Sequence, residues 1–185
     1  MDRKLTTRKI VVTGMMAALT AVGSALRIIM PISIGGDTSF HLGNIMCVLS
    51  GLMMGPWLGS MAAGLGSAIY DMTNPRYIAD CWITFLTKGA MGLAAGLIAG
   101  KGKHLTYLRA LLASIAGSVV YAALYLLKTF LKTMLVRGVA ADGALLTVVA
   151  KLPGTIFNAV VAVIFAPILA IAIHKALDRT GLLTK

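Results

Sequence analysis

The chain is short of charge, and shortest of acid. Its 185 residues include six acidic side chains, all aspartates, and charged residues make up only 12% of the whole. With 58% hydrophobic residues and a mean hydropathy of +0.89, there is too little polar surface to clothe an ordinary soluble domain. Cysteine is also scarce: Cys47 and Cys81 stand alone in apolar segments. They lack the paired spacing of a metal or redox site, so both read as small buried packing residues. No G-x-x-x-x-G-K-[ST] phosphate loop and no H-E-x-x-H zinc pattern occurs. No cofactor or metal is implied.

What the chain has in abundance is long apolar runs. A membrane helix needs about 20 apolar residues, because its backbone groups must satisfy one another where water is absent. The length therefore accommodates roughly five or six spans and no separate soluble catalytic domain. The runs fall at about 10–30, 41–54, 56–72, 81–100, 105–133 and 146–177. Gly55-Pro56 divides the second run from the third, since proline removes a backbone donor and clashes with the preceding turn. In the last run Pro153 lies in the first turns, and Pro167 lies in the interior, where a kink is expected. The first run follows a basic start, but it is too long for a secretory leader and an equally apolar protein follows it. The fold expected is an all-α integral membrane protein, with residues 1–185 forming a single bundle of six transmembrane helices.

A net charge of +11 could suggest nucleic acid, yet the cations cluster at the ends of apolar runs rather than on a solvated face. No nucleic-acid partner is expected. Membrane topology explains the pattern better. Ten basic residues, among them Arg3, Lys4, Arg8, Lys9, Lys101, Lys103 and Lys185, fall on the side of the termini, against seven elsewhere. The expectation is a multi-pass protein of a prokaryotic cell membrane, surrounded by lipid, with cytoplasmic termini.

The seven cations that topology leaves over are Arg27, Arg76, Lys88, Lys128, Lys132, Arg137 and Lys151. Charges within a membrane are costly and usually face a cavity or one another. Tyr121, Tyr125, Lys128 and Lys132 recur at i, i+4, i+7 and i+11; Cys81, Thr84 and Lys88 at i, i+3 and i+7; and Lys151, Thr155 and Asn158 at i, i+4 and i+7. Each set shares one helical face. His41 and Asn44 share another, and Asp71 ends the third run at the same outer side. The economical reading is an outward-opening cavity for a small polar anion, lined by His41, Asn44, Asp71, Thr84, Lys88, Tyr121, Tyr125, Lys128 and Asn158. Other roles compete. Lys132 and Arg137 read as snorkelling to the headgroups, Asn158 equally as helix–helix glue, and His41 as a cap at a helix start. On the first helix, Gly14 with Ala18, and Ala17 with Ala21 and Ala25, place small residues at helical spacing that permit close approach of another helix.

The stretches TTRKIVVTGMMAALTAV, FHLGNIMCVLSGLMMGPWLGSMAAGLGSAIYD and WITFLTKGAMGLAAGLIAGK together resemble the substrate-binding S components of energy-coupling factor (ECF) transporters. The resemblance covers roughly residues 5–101; the last two helices match in hydropathy alone. It implies six helices around an outward-facing pocket that captures a vitamin or related micronutrient, with residues 31–40 helping to cover it. It also implies a non-enzymatic role. The protein would dock through an Ala-xxx-Ala surface, Ala17 and Ala21 with Ala25 beyond, onto a transmembrane T subunit bound to two ABC ATPases, and would reorient to release its cargo inward. Asn44 stands where the family often has aspartate. This makes the site less negative and suits an anionic or neutral ligand, and the cationic stripes lean toward a carboxylate-bearing vitamin such as pantothenate.

Two other classes compete. A small proton- or gradient-coupled secondary transporter would need a carboxylate or histidine deep within a span, whereas the aspartates fall at segment ends or in loops. An intramembrane serine protease would need a serine and a histidine positioned within the bundle, but His41, His104 and His174 lie near segment ends.

Overall fold

A computed structural model describes residues 7–30, 38–100 and 105–179. It is built from five helices, α1 (Thr7–Ala25), α2 (Gly43–Thr73), α3 (Cys81–Ala99), α4 (Tyr107–Leu135) and α5 (Ala141–Arg179). Two short strands, β1 (Arg27–Met30) and β2 (Thr38–His41), lie between α1 and α2, and a single 3₁₀ turn (Ile78–Asp80) precedes α3. Among the described residues, four helices, α2 to α5 with the 3₁₀ turn leading into α3, are long and apolar enough to cross a membrane. Large apolar side chains such as Leu97, Leu108, Leu127, Val149 and Ile164 point outward along them, as they would toward lipid. Several hydroxyls inside the helices are satisfied without water: Ser50 donates to Met46, Ser114 to Ala110 and Thr155 to Lys151, each to the carbonyl four residues back.

α2 is not a single rod. Gly55 has φ 76 and ψ −173, a backbone conformation open to glycine and strained for other residues, and Pro56 follows it. The two arms fold back alongside each other, so that Cys47 Sγ lies 3.5 Å from Ser67 Oγ, twenty residues further on. α3 then packs against this hairpin at backbone distance. A Cβ on Gly51 would run into the carbonyl of Gly92, and one on Gly96 would lie 2.6 Å from the Gly55–Pro56 backbone. Exposed Trp57 and Trp82 flank the hairpin at opposite ends, positions at which tryptophan marks the two membrane interfaces.

Several expectations are corrected. The first helix ends at Ala25 rather than at residue 30, because Arg27–Met30 pairs antiparallel with Thr38–His41. His41 is thus a strand residue and shares no helical face with Asn44. Of the expected covering loop, residues 31–37 lie outside the described residues. Ala17, expected on a docking face, is 5% exposed, and its carbonyl meets Gly66 of α2 so closely that a Cβ there would overlap it. Ala17 is an interior packing residue. Ala21 is half-buried, whereas Ala18 and Ala25 are exposed. The last helix starts at Ala141, five residues before the expected 146, and continues through Pro153 and Pro167.

Candidate functional site

One large cavity of about 480 Å³ opens among the helices, and all five helices and both strands line it. Its size falls in the range of about 300–1,000 Å³ usual for small-molecule sites. Each of the nine residues expected at a site, His41, Asn44, Asp71, Thr84, Lys88, Tyr121, Tyr125, Lys128 and Asn158, is on its wall. So are Lys132 and Arg137, the two lysine and arginine side chains read as snorkelling.

At the deep end, α3 delivers Lys88, which is only 4% exposed. Its ammonium donates to Oδ1 of Asn44, itself 1% exposed, and lies 3.9 Å from the centre of the Tyr121 ring. One helical turn on, Tyr125 stacks against Tyr121 with centroids 5.8 Å apart. Asp71 closes the second arm of α2 within hydrogen-bonding reach of Thr84. At the mouth, Asp80 is gripped by two lysines of α4, Lys132 at 2.7 Å and Lys128 at 3.1 Å. The i, i+4 step from Lys128 to Lys132 explains how one carboxylate meets both. On α5, Asn158 accepts a bond from the backbone N–H of His41 at 3.2 Å and donates to the carbonyl of Gly154 at 2.9 Å. It thereby ties the strand pair to the last helix, and the contact of Phe40 with Phe157, 5.4 Å between centroids, reinforces the join.

Arg27 was visible in the sequence only as an unexplained cation. It sits directly opposite His41 in the ladder, so the two side chains project from the same face of the hairpin. Its guanidinium lies 5.3 Å from the ring centre of Tyr70 and 4.7 Å from that of Tyr77, close enough for cation–π attraction. Burial, and then the positive charges of Lys88 and Arg27, hold the His41 imidazole well below its usual pKa. It is neutral at pH 7. Tyr77 and Asp80 were missed because they lie between helices, where no periodicity marks them. Their only signal was a tyrosine and an aspartate in TNPRYIAD, the stretch between the third and fourth apolar runs.

Comparison with known proteins gives two findings. A family model described as the ECF-type riboflavin transporter, S component, matches residues 4–175. An uncharacterized protein from Pyrococcus woesei, described as encoded in a gap 3' region, is 33% identical over 103 residues, which is 56% of this chain and 65% of that protein. The chain thus spans less than two-thirds of that relative's length.

Proposed function

The chain belongs to the S-component family of ECF-type riboflavin transporters, and from that membership we propose that it is the high-affinity, membrane-embedded subunit that captures a vitamin-sized solute for import. The family makes it a transporter component and not an enzyme. The observation that carries the reading is the cavity: some 480 Å³ of polar-walled space inside a protein whose outer surface is apolar. A structural bundle has no use for so many buried ammonium, hydroxyl and amide groups.

In this reading residues 1–185 form one domain of six spans, with the two arms of α2 counted separately and α1 completing the set. The termini are cytoplasmic and the cavity opens outward. The partners are a transmembrane T subunit, itself bound to two ABC ATPases, together with the surrounding lipid and the solute. Docking uses the exposed face of α1, where Gly14, Ala18 and Ala25 recur at i, i+4 and i+11 and leave room for a second helix. Ala21 borders that face. Riboflavin, named in the family's description, is the first ligand to test, ahead of the pantothenate suggested by charge alone.

The test is uptake into proteoliposomes that hold the chain with the T subunit and ATPases. Uptake is expected to need ATP and the partners, and Ala18→Trp is expected to abolish it while ligand affinity stays unchanged. Gradient-driven uptake by the lone chain would overturn the reading in favour of a secondary transporter.

A further inference from the structure

The cavity is strongly polarised. Seven cationic side chains line it against two carboxylates, Asp71 and Asp80. Asp80 is engaged by Lys128 and Lys132. Asp71 attracts Lys88 across space but makes no ion pair with it. The direct partners of the Lys88 ammonium are therefore a neutral amide, Asn44, and the face of a neutral ring, Tyr121. Nearby, the Arg27 guanidinium is spread over Tyr70 and Tyr77, and its Nε is buried with no hydrogen-bond partner. His41 lies within electrostatic range of both charges and adds none of its own. A buried cation without a carboxylate in contact is costly; Lys88 is such a cation, and the half-buried Arg27 faces the same space.

We infer that the deep end of the cavity, between Lys88 and Arg27, is a subsite for an acidic group of the ligand, a carboxylate or a phosphate. The inference rests on the cavity being the substrate pocket, and it narrows that reading: the solute is an anion. Its acid group supplies the counter-charge that the protein withholds from Lys88, and charge-assisted hydrogen bonds from the ammonium and from Arg27 Nε hold it. The tyrosine wall of Tyr121 and Tyr125 flanks the rest of the molecule. Asp71 opposes any anion, which favours one that contacts Lys88 and Arg27 without approaching that carboxylate.

The test uses the full chain in lipid nanodiscs. Inorganic phosphate is titrated against sodium chloride at equal ionic strength while Tm is followed. Wild type is expected to show a saturable rise specific to phosphate. Asn44→Asp places a carboxylate on the Lys88 ammonium at nearly unchanged side-chain size, and it is expected to abolish the rise; Lys88→Met and Arg27→Gln are expected to abolish or halve it. Comparing wild type with Asn44→Asp removes any general salting effect common to both. Matched probes then separate acid from body: flavin mononucleotide against riboflavin, and pantothenate against pantothenol. Within any pair that binds, the acid is expected to bind about tenfold tighter or better, a margin that Asn44→Asp erases. No phosphate-specific rise, or a rise that survives in Asn44→Asp, overturns the inference. So does a neutral member that binds as tightly as its acid. Riboflavin bound while the phosphate-specific rise is absent would leave a vitamin-binding subunit without an anion subsite. Failure of ATP-driven uptake with the phosphate response intact would remove the transport reading and leave the anion site standing.

Discussion

The region from α1 to α3 and the pair α4–α5 are put together by different means. In the first, backbones touch. Gly51 faces Gly92, Gly66 faces Ala17, and Gly96 sits on the Gly55–Pro56 turn. As a result 56% of the most apolar window of α2 is buried, against 28% for α4 and for α5. The later helices bury less of themselves and give most of their surface to the surroundings, although α4 also reaches the α3 backbone at one point, Gly117 against the Met91 carbonyl. Yet α4 supplies Tyr121, Tyr125, Lys128 and Lys132 to the cavity, and α5 supplies Lys151 and Asn158. A close-packed scaffold thus holds Asn44, Asp71 and Lys88 in fixed relation, and a looser pair of helices forms the opposing wall. Interiors packed at crystal-like density resist displacement, so under the proposed transport role any motion that admits or releases a solute is expected in α4 and α5.

The comparison can be broken most sharply at Gly51. Gly51→Val drives two methyl groups into the Gly92 carbonyl and is expected to cost about 3 kcal/mol, near the upper end for overpacking, read as a large drop in Tm in mild detergent. Next in size is a pH effect at the junction of the two regions. The unfolded His41 takes up a proton as pH falls below about 6.5, whereas the folded imidazole, held low by burial and then by Lys88 and Arg27, does not. The unfolded state then binds more protons, so stability falls with falling pH, at up to about 1.4 kcal/mol per pH unit. Denaturation curves from pH 7 to pH 5 are expected to show this slope in wild type and a shallower one in His41→Gln. Smaller still is Lys132→Met, which removes one of two lysines from Asp80 at the half-exposed mouth; the loss is expected to be at most about 1 kcal/mol. Least of all is Val119→Ala on the outer face of α4, where the side chain is 61% exposed. Its effect is expected to lie within about 0.5 kcal/mol. If Val119→Ala cost as much as Gly51→Val, the contrast between tight and loose regions would be lost.

Much of this arrangement could be read in the sequence, for reasons that separate along the same divide. Apolar run length located the helices, and Gly55-Pro56 marked the hairpin in α2, because both signals are local. The polar stripes on α3, α4 and α5 turned Lys88, Tyr121, Lys128 and Asn158 toward one shared cavity, because a helix converts spacing directly into direction. The strand pair escaped notice. RIIM continues the apolar run of α1 without a break, and its conformation depends on pairing with Thr38–His41 across the chain. Arg27 was therefore left unplaced, and His41 was assigned to a helix. Small residues were ambiguous in another way, since alanine permits close approach equally to the protein's own helices and to a partner's; only the contact with Gly66 puts Ala17 inside. The family match to residue 175 also reaches across the last two helices, where resemblance had been one of hydropathy alone.

The ladder between β1 and β2 has a further consequence. Because side chains alternate faces along a strand, a slip of one residue in register would leave Arg27 and His41 on opposite faces of the ladder. The joint placing of guanidinium and imidazole on that part of the wall is thus governed by backbone pairing, and a single inserted residue in either strand would separate them while leaving every helix in place.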